Sequence, residues 1–249
     1  MPSDDSNDPD WLILEDGPLI AVNKPAGLLT EGIPGRHATM VGKVKEWLKQ
    51  KYDKPGNVYL GIPHRLDRGS TGALVFTRNS KTAARVAEQF EKREVTKIYW
   101  ALLESTPEPV SGTLTDWLRK IPDEARTEIA EPHSPGAKEA RLSYRVLSQS
   151  DGTRLVEIEL LTGRMHQIRA QFASRGYPVL GDDKYGAAPG SWPTDPAQPV
   201  ATDGEASNIH IALHARSLTL KHPIRYDTLT VKAPLPDHWS MPDDPAATA

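Results

Sequence analysis

The stretch His64-Arg65-Leu66-Asp67-Arg68-Gly69-Ser70-Thr71-Gly72 runs without a break into Ala73-Leu74-Val75-Phe76-Thr77. Two arginines and a histidine crowd one aspartate in a glycine-containing turn, and a short apolar, β-prone run follows. A charged loop feeding a strand places polar side chains on a rigid edge, where sites commonly form. The guanidinium groups that flank Asp67 in sequence favour its ionised form. A solvated turn with a capping aspartate would use the same residues, so this stretch alone fixes no chemistry.

Working outward, Leu19–Val22 reads as a strand that stops at Asn23-Lys24-Pro25-Ala26-Gly27. Thr39 is placed to cap a helix whose inward positions are Met40, Val44, Trp47 and Leu48. After the central strand, Ser80 is expected to cap a second helix. Its inward positions would be Ala83, Val86, Ala87 and Phe90, with Arg85, Lys92 and Arg93 outside. Val95–Glu104 alternates, with Ile98, Trp100 and Leu102 on one face and Lys97, Tyr99 and Ala101 on the other. Arg141–Leu147 and Leu155–Leu161 pair as antiparallel strands across Asp151-Gly152. Ile209–Leu213, Ser217–Leu220 and Thr228–Lys232 add strands near the end. The order predicts an α+β fold with a mixed, mainly antiparallel sheet flanked by a few helices, not a doubly wound one.

A second polar cluster, Thr162-Gly163-Arg164-Met165-His166-Gln167-Ile168-Arg169, continues to Gly176. Thr162 is expected to cap a helix from Gly163 to about Arg175, with Met165, Ile168 and Phe172 inward. His166, Arg169 and Ala173 form the neighbouring stripe, which brings Arg169 out beside the buried face. Arg164 near the start of that helix opposes the dipole, a cost that an anion would offset.

The chain has 249 residues, 38% hydrophobic and 25% charged, enough for one large domain. With no cysteine it has no disulfide, thiol nucleophile or Cys-ligated metal. No apolar run approaches the ~20 residues of a membrane span, and the N-terminus is acidic, so a cytoplasmic protein without membrane contact is expected. The formal net charge is −3. Ten acids, however, lie in three base-free stretches: four in residues 1–10, three in 188–208 and three in 237–249. Setting those ten aside leaves 30 bases against 23 acids, a net of +7 for the rest. The three stretches read as an N-terminal tail expected to be disordered, a Pro-rich loop and a C-terminal tail, around a folded body over 11–236. The body is basic, as a polyanion-binding surface requires.

His64, His166, His210 and His214 are the best metal candidates, but no HExxH pair or carboxylate cluster accompanies them, and no metal is expected. Glycine-rich nucleotide loops are also absent from the sequence, so no nucleotide cofactor is expected. Without coiled-coil heptads, a monomer is the expectation.

The stretches HRLDRGSTG (64–72), TKIYWALLE (96–104) and TGRMHQIRAQFASRGYPVLGDDKYG (162–186) resemble the signatures of the RluA-type RNA pseudouridine synthases. LIAVNKPAGLLT (19–30) and IALHARSLTLKHP (211–223) add to the likeness, which spans about residues 12–234. The HRLD opening points to that branch and away from the RsuA-type, which begins GRLD; starting so early, the likeness leaves no S4 RNA-binding module expected before it. The resemblance implies a central active-site cleft and isomerisation of uridine to pseudouridine in ribosomal or transfer RNA stem-loops, with no cofactor. By the same resemblance Asp67 is the essential aspartate, acting as nucleophile at C1′ or base at C2′. Tyr99 packs on the target base and assists removal of the C5 proton, and Arg169 pairs with Asp67. Arg65 enters the RNA stack in place of the extruded nucleotide, and Leu213 lines the uracil pocket. His64, Leu66, Arg68, Arg164 and His166, from the same stretches, complete the expected substrate-binding set. The Ser70-Thr71 order, Trp100 and Met165 depart from the usual pattern without touching Asp67, Tyr99 or Arg169. The competing reading is a non-catalytic RNA-binding or RNA-chaperone module that uses the same basic face.

Overall fold

The computed structural model describes residues 8–32, 38–150, 153–193 and 210–239. Its elements, in chain order, begin with β1 (Leu12–Asp16), β2 (Leu19–Lys24), α1 (Met40–Lys51), β3 (Thr71–Thr77) and α2 (Ser80–Glu91). The middle of the chain forms β4 (Thr96–Leu103), β5 (Ser111–Lys120), β6 (Thr127–Ala130), β7 (Lys138–Ser150) and β8 (Thr153–Leu160). Helix α3 (Gln167–Ala173), a 3₁₀ turn at Asp183–Tyr185, β9 (Leu213–Lys221) and β10 (Thr228–Lys232) complete it.

All ten strands join one sheet in the order β1-β2-β3-β9-β4-β8-β7-β5-β6, with β10 also on β9. The pairings are antiparallel except β3 with β9, which run parallel through Thr71↔His214 and Gly72↔Ala215. The mixed, mainly antiparallel α+β architecture is therefore as expected. That parallel contact matters most for the site, because it joins the strand after Asp67 to the C-terminal part of the chain.

Thr39 caps α1 as its sequence suggests, its hydroxyl accepting from Gly42 N–H at 3.0 Å, and Met40, Val44 and Leu48 are buried. The second cap differs: Asn79, not Ser80, accepts from Thr82 N–H at 2.9 Å, since its longer side chain reaches the first free donors. Ala87 is exposed, and Thr82, Val86 and Gln89 make the buried stripe, so the inward face is rotated from the expected one. Leu213–Lys221 is one continuous strand where two were expected, and Ile209 lies outside the described residues. β7 and β8 pair as anticipated, while Asp151-Gly152 itself lies outside the described residues.

The packed body extends past the expected tail boundaries. Asp8 pairs with Lys51 at 2.8 Å, and Trp11 meets Trp47 edge-on at 5.7 Å. At the other end Trp239 is buried against Trp192 and His214, with ring centroids 5.7 and 5.8 Å away. Residues 1–7, 194–209 and 240–249, most of the expected tails and loop, lie outside the described residues. No described helix is long and apolar enough to cross a membrane.

Candidate active site

The loop that carries Asp67 is clamped by the segment after β2. Thr30 Oγ1 accepts from Leu66 N–H at 3.1 Å and donates to Leu66 O at 3.0 Å. Gly27 N–H reaches Arg68 O at 2.8 Å, and Arg68 Nε returns to Gly27 O at 3.0 Å. From the far end of the chain, Ile211 N–H donates to Gly69 O at 3.1 Å. Beneath the loop lies Lys24, wholly buried, its Nζ donating to Pro25 O and Leu28 O at 2.8 Å and to Arg68 O at 3.3 Å. Burial pulls its pKa down to about 7 despite the opposing charge of Asp67, and Arg68 adds to the lowering.

Asp67 meets a cation, but not the sequence neighbours. Arg65 extends outward to Glu31 at 2.9 Å, and Arg68 serves Gly27 as described, because a tightly clamped turn directs adjacent side chains apart. The partner is Arg169, whose Nη1 donates to Asp67 Oδ2 at 3.2 Å. Its Nε and Nη2 donate to the two carboxylate oxygens of buried Asp182 at 2.6 and 2.8 Å. Burial works against the guanidinium charge, but the hydrogen-bonded Asp182 and then Asp67 outweigh it and raise the pKa above the ordinary arginine range. Tyr185 lies under Arg169, its ring centroid 4.9 Å from Cζ.

Helix α3 begins later than its sequence suggested. His166 adopts left-handed backbone angles (φ 50°, ψ 27°), so Gly163 to Met165 form an irregular entry and Met165 is exposed. Thr162 accepts from Arg141 N–H at 2.8 Å and donates to Gln167 Oε1 at 2.7 Å, so it ties the entry to β7 and caps no helix. This turn brings His166 Nε2 to 3.8 Å from Asp67 Oδ2 and its Nδ1 to 3.0 Å from Tyr185 Oη. Burial lowers the imidazole pKa to about 4, with Asp67 opposing, so His166 is neutral near pH 7. Tyr185 Oη also accepts from Thr127 N–H at 2.8 Å, which links the site to β6.

Tyr99 is 9% exposed and feels the charge of Asp67; burial first, then that charge, raises its pKa above the ordinary phenol value. Asp67 keeps 28% of its side chain exposed, so it is the open member of a mostly closed group. Asp67, Tyr99, His166 and Arg169 are thus brought together. Leu213 and Leu66 are buried in the surrounding core. Arg164 donates through Nε to Glu139 O at 2.9 Å. His64 is committed elsewhere: its Nε2 accepts from Val75 N–H at 3.0 Å and its ring stacks on Phe90 at 4.6 Å. Burial, then Lys97, lowers its pKa to about 3. The residues that sequence reasoning missed are Lys24, Asp182 and Tyr185. Two signals mark them: a lone lysine inside the apolar 19–30 stretch, and the acidic pair with a tyrosine in Gly181–Gly186.

The family model described as RNA pseudouridylate synthase matches residues 18–174. An RNA pseudouridine synthase of Synechocystis sp. is 31% identical over 92% of this chain and 66% of its own length. The ribosomal large subunit pseudouridine synthase D of Nitrosomonas europaea is 34% identical over 91% of this chain and 62% of its own length. The chain thus spans just under two thirds of those relatives. It covers 93% of the dual-specificity RNA pseudouridine synthase RluA of Escherichia coli, at 29% identity over 90% of this chain. Among solved structures, human RNA pseudouridylate synthase domain containing 4 superposes with a TM-score of 0.70 at 26% identity, covering 91% of this chain and 88% of that one. With the family model over more than half its length and relatives above 30% identity, the chain belongs to the RNA pseudouridylate synthases, in their RluA-type branch.

Proposed function

We propose that this protein isomerises uridine to pseudouridine in structured RNA, with Asp67 as the group that acts on the ribose. The observation that carries this is a partly open carboxylate held at 3.2 Å by a guanidinium that is itself locked onto buried Asp182. Such a pair fixes a carboxylate in place at no reorganisation cost when the substrate arrives.

The chemistry balances without a cofactor. The Asp67 carboxylate attacks C1′ as the C1′–N1 bond breaks, and the bonding pair leaves with the uracil. Alternatively it takes the C2′ proton and the uracil leaves by elimination. In both routes the uracil turns and C5 bonds to C1′, which frees the carboxylate as its bond to C1′ breaks in the first route or as it returns the proton to C2′ in the second; C5 then loses its proton and N1 gains one. Tyr99, held protonated by burial and by the Asp67 charge, offers a ring face and an O–H to the base, and stacking of this kind is worth ~1–3 kcal/mol. Arg65, exposed and paired with Glu31, takes the place of the extruded nucleotide in the stack in this reading, which offsets part of the few kcal/mol that extrusion costs. Neutral His166 donates or accepts a hydrogen bond beside Asp67 and does not add charge. The substrate class in this reading is ribosomal or transfer RNA stem-loops, the ribosomal part being in line with the name of the Nitrosomonas europaea relative, and the working form is a cytoplasmic monomer.

The test is Asp67→Asn assayed by tritium release from transcripts carrying 5-tritiated uridine. The expected outcome is loss of release with RNA affinity within about threefold of the parent. Release at the parent rate would overturn the reading.

A further inference from the structure

The chemistry above leaves unused a cationic group on the strand that carries Tyr99. Side chains alternate along β4, so Lys97 shares with Tyr99 the face that looks toward Asp67, about 7 Å further along the strand. Helices α2 and α3 lie on this face. Tyr99, Ile158 and Tyr144 are successive cross-strand partners, and Tyr144 meets Phe172 of α3 edge-on at 5.4 Å. On the other side Leu218, the partner of Lys97 on β9, packs in one cluster with Val86 of α2.

Arg93, just past the end of α2, and Arg164, in the entry to α3, are therefore carried to the two sides of Lys97. The ammonium lies close against that entry: a Cβ added to Gly163 would stand 3.9 Å from Lys97 Nζ. The carboxylates of β8 offer no balance, because Glu157 and Glu159 pair with Trp100 and Ile98 and so share the opposite face. Burial, and after it the charges of Arg93 and Arg164, pull the Lys97 pKa down to about 8, with no carboxylate of the described residues among the causes. A half-buried ammonium between two guanidinium groups is a standing cost that a bound anion removes.

We propose that Lys97, with Arg93 and Arg164 at its sides, is a subsite for the RNA backbone phosphate next to the target uridine. The nucleotide is then held at two points on one strand, its base by Tyr99 and its flanking phosphate by Lys97. This rests on the isomerase reading and adds where the substrate backbone runs. An ordinary solvated lysine would make no such contact, and the two cases differ in salt dependence.

The experiment compares the parent chain with Lys97→Met, Lys97→Gln and Lys97→Arg on unmodified ribosomal and transfer RNA transcripts labelled with 5-tritiated uridine. Each neutral variant should weaken binding about tenfold at ~0.1 M salt and reduce the slope of log affinity against log salt by about one. KM should rise more than kcat falls, and Lys97→Arg should recover most of the loss. Having two neutral variants keeps a folding defect peculiar to one from deciding the result. An active parent whose neutral variants keep its affinity and salt slope overturns the subsite and leaves the isomerase reading intact. A parent that neither binds nor releases tritium from any transcript overturns the isomerase reading, and the RNA subsite with it.

Discussion

Arg169 gives two of its N–H groups to Asp182 at 2.6 and 2.8 Å and keeps a third for Asp67 at 3.2 Å. The shorter pair is the buried one, so Asp182 sets where the guanidinium sits and Asp67 receives what that position allows. Asp182→Asn removes one charge from this arrangement and leaves Arg169 buried and under-compensated. Breaking one side of a buried pair costs about 3–5 kcal/mol, so the unfolding midpoint in urea should fall sharply. Turnover should drop at least tenfold, through kcat. An unchanged kcat would remove Asp182 from any part in positioning.

Arg169→Lys tests the same relationship from the other side. A single ammonium cannot reproduce the forked contact to Asp182 and still reach Asp67, because lysine lacks the planar set of donors. Tritium release should fall about a hundredfold with RNA affinity little changed. A variant with parental turnover would show that the fork is dispensable.

Lys24 does a different job. Its ammonium satisfies three carbonyls, two in its own segment and Arg68 O in the Asp67 loop. Lys24→Met keeps the stem and removes the donors, leaving buried acceptors unpaired at about 1–3 kcal/mol each. The prediction is a loss on the order of 3 kcal/mol in equilibrium unfolding and faster proteolysis within residues 24–30. Parental stability would mean that those carbonyls find other donors.

The parts of the fold that sequence made legible are those governed by local patterning. Alternation from Lys97 to Ala101 gave the face of β4, and the four-residue spacing of Met40, Val44 and Leu48 gave α1. The site was legible where its residues lie in dense polar stretches, as Asp67 and Arg169 do. What was not legible depends on contacts distant in sequence. The left-handed turn at His166 shortens α3, and the expected helix start at Gly163 failed because Thr162 spends its hydroxyl on Arg141 and Gln167. Arg65 and Arg68 lie beside Asp67 in sequence, yet the cation that reaches it comes from 102 residues away.

Acid should destabilise the fold well before the carboxylates titrate. Burial lowers His64 to about 3 and His166 and His214 to about 4, whereas a free imidazole titrates near 6.5. Below about pH 6.5 the unfolded chain takes up protons that the folded chain refuses. Stability is therefore full above that pH and declines as pH falls toward 4, by roughly 2–3 kcal/mol per imidazole. Urea midpoints measured from pH 7.5 to 4.5 should trace this decline, and His214→Gln should flatten part of it. A midpoint constant down to pH 5 would contradict the buried neutral imidazoles.

Gly72 ties the sheet to the site. Its φ is +114°, and a Cβ there would stand 2.3 Å from Ala215 O and 2.6 Å from Ala215 N. Those are backbone atoms of the parallel β3–β9 contact, and no side-chain adjustment can relieve them. Gly72→Ala must therefore part the two strands where Thr71 Oγ1 meets His214 Nδ1 at 2.7 Å and where Ile211 N–H holds Gly69 O. The strain and the lost contacts together should cost at least ~3 kcal/mol, since left-handed backbone and steric overlap both penalise a methyl group. Because the displaced segment begins five residues after Asp67, the variant that does fold should also lose turnover through kcat. Gly72→Ala with parental stability and turnover would mean that β3 and β9 do not approach as closely as 2.3 Å to that methyl position.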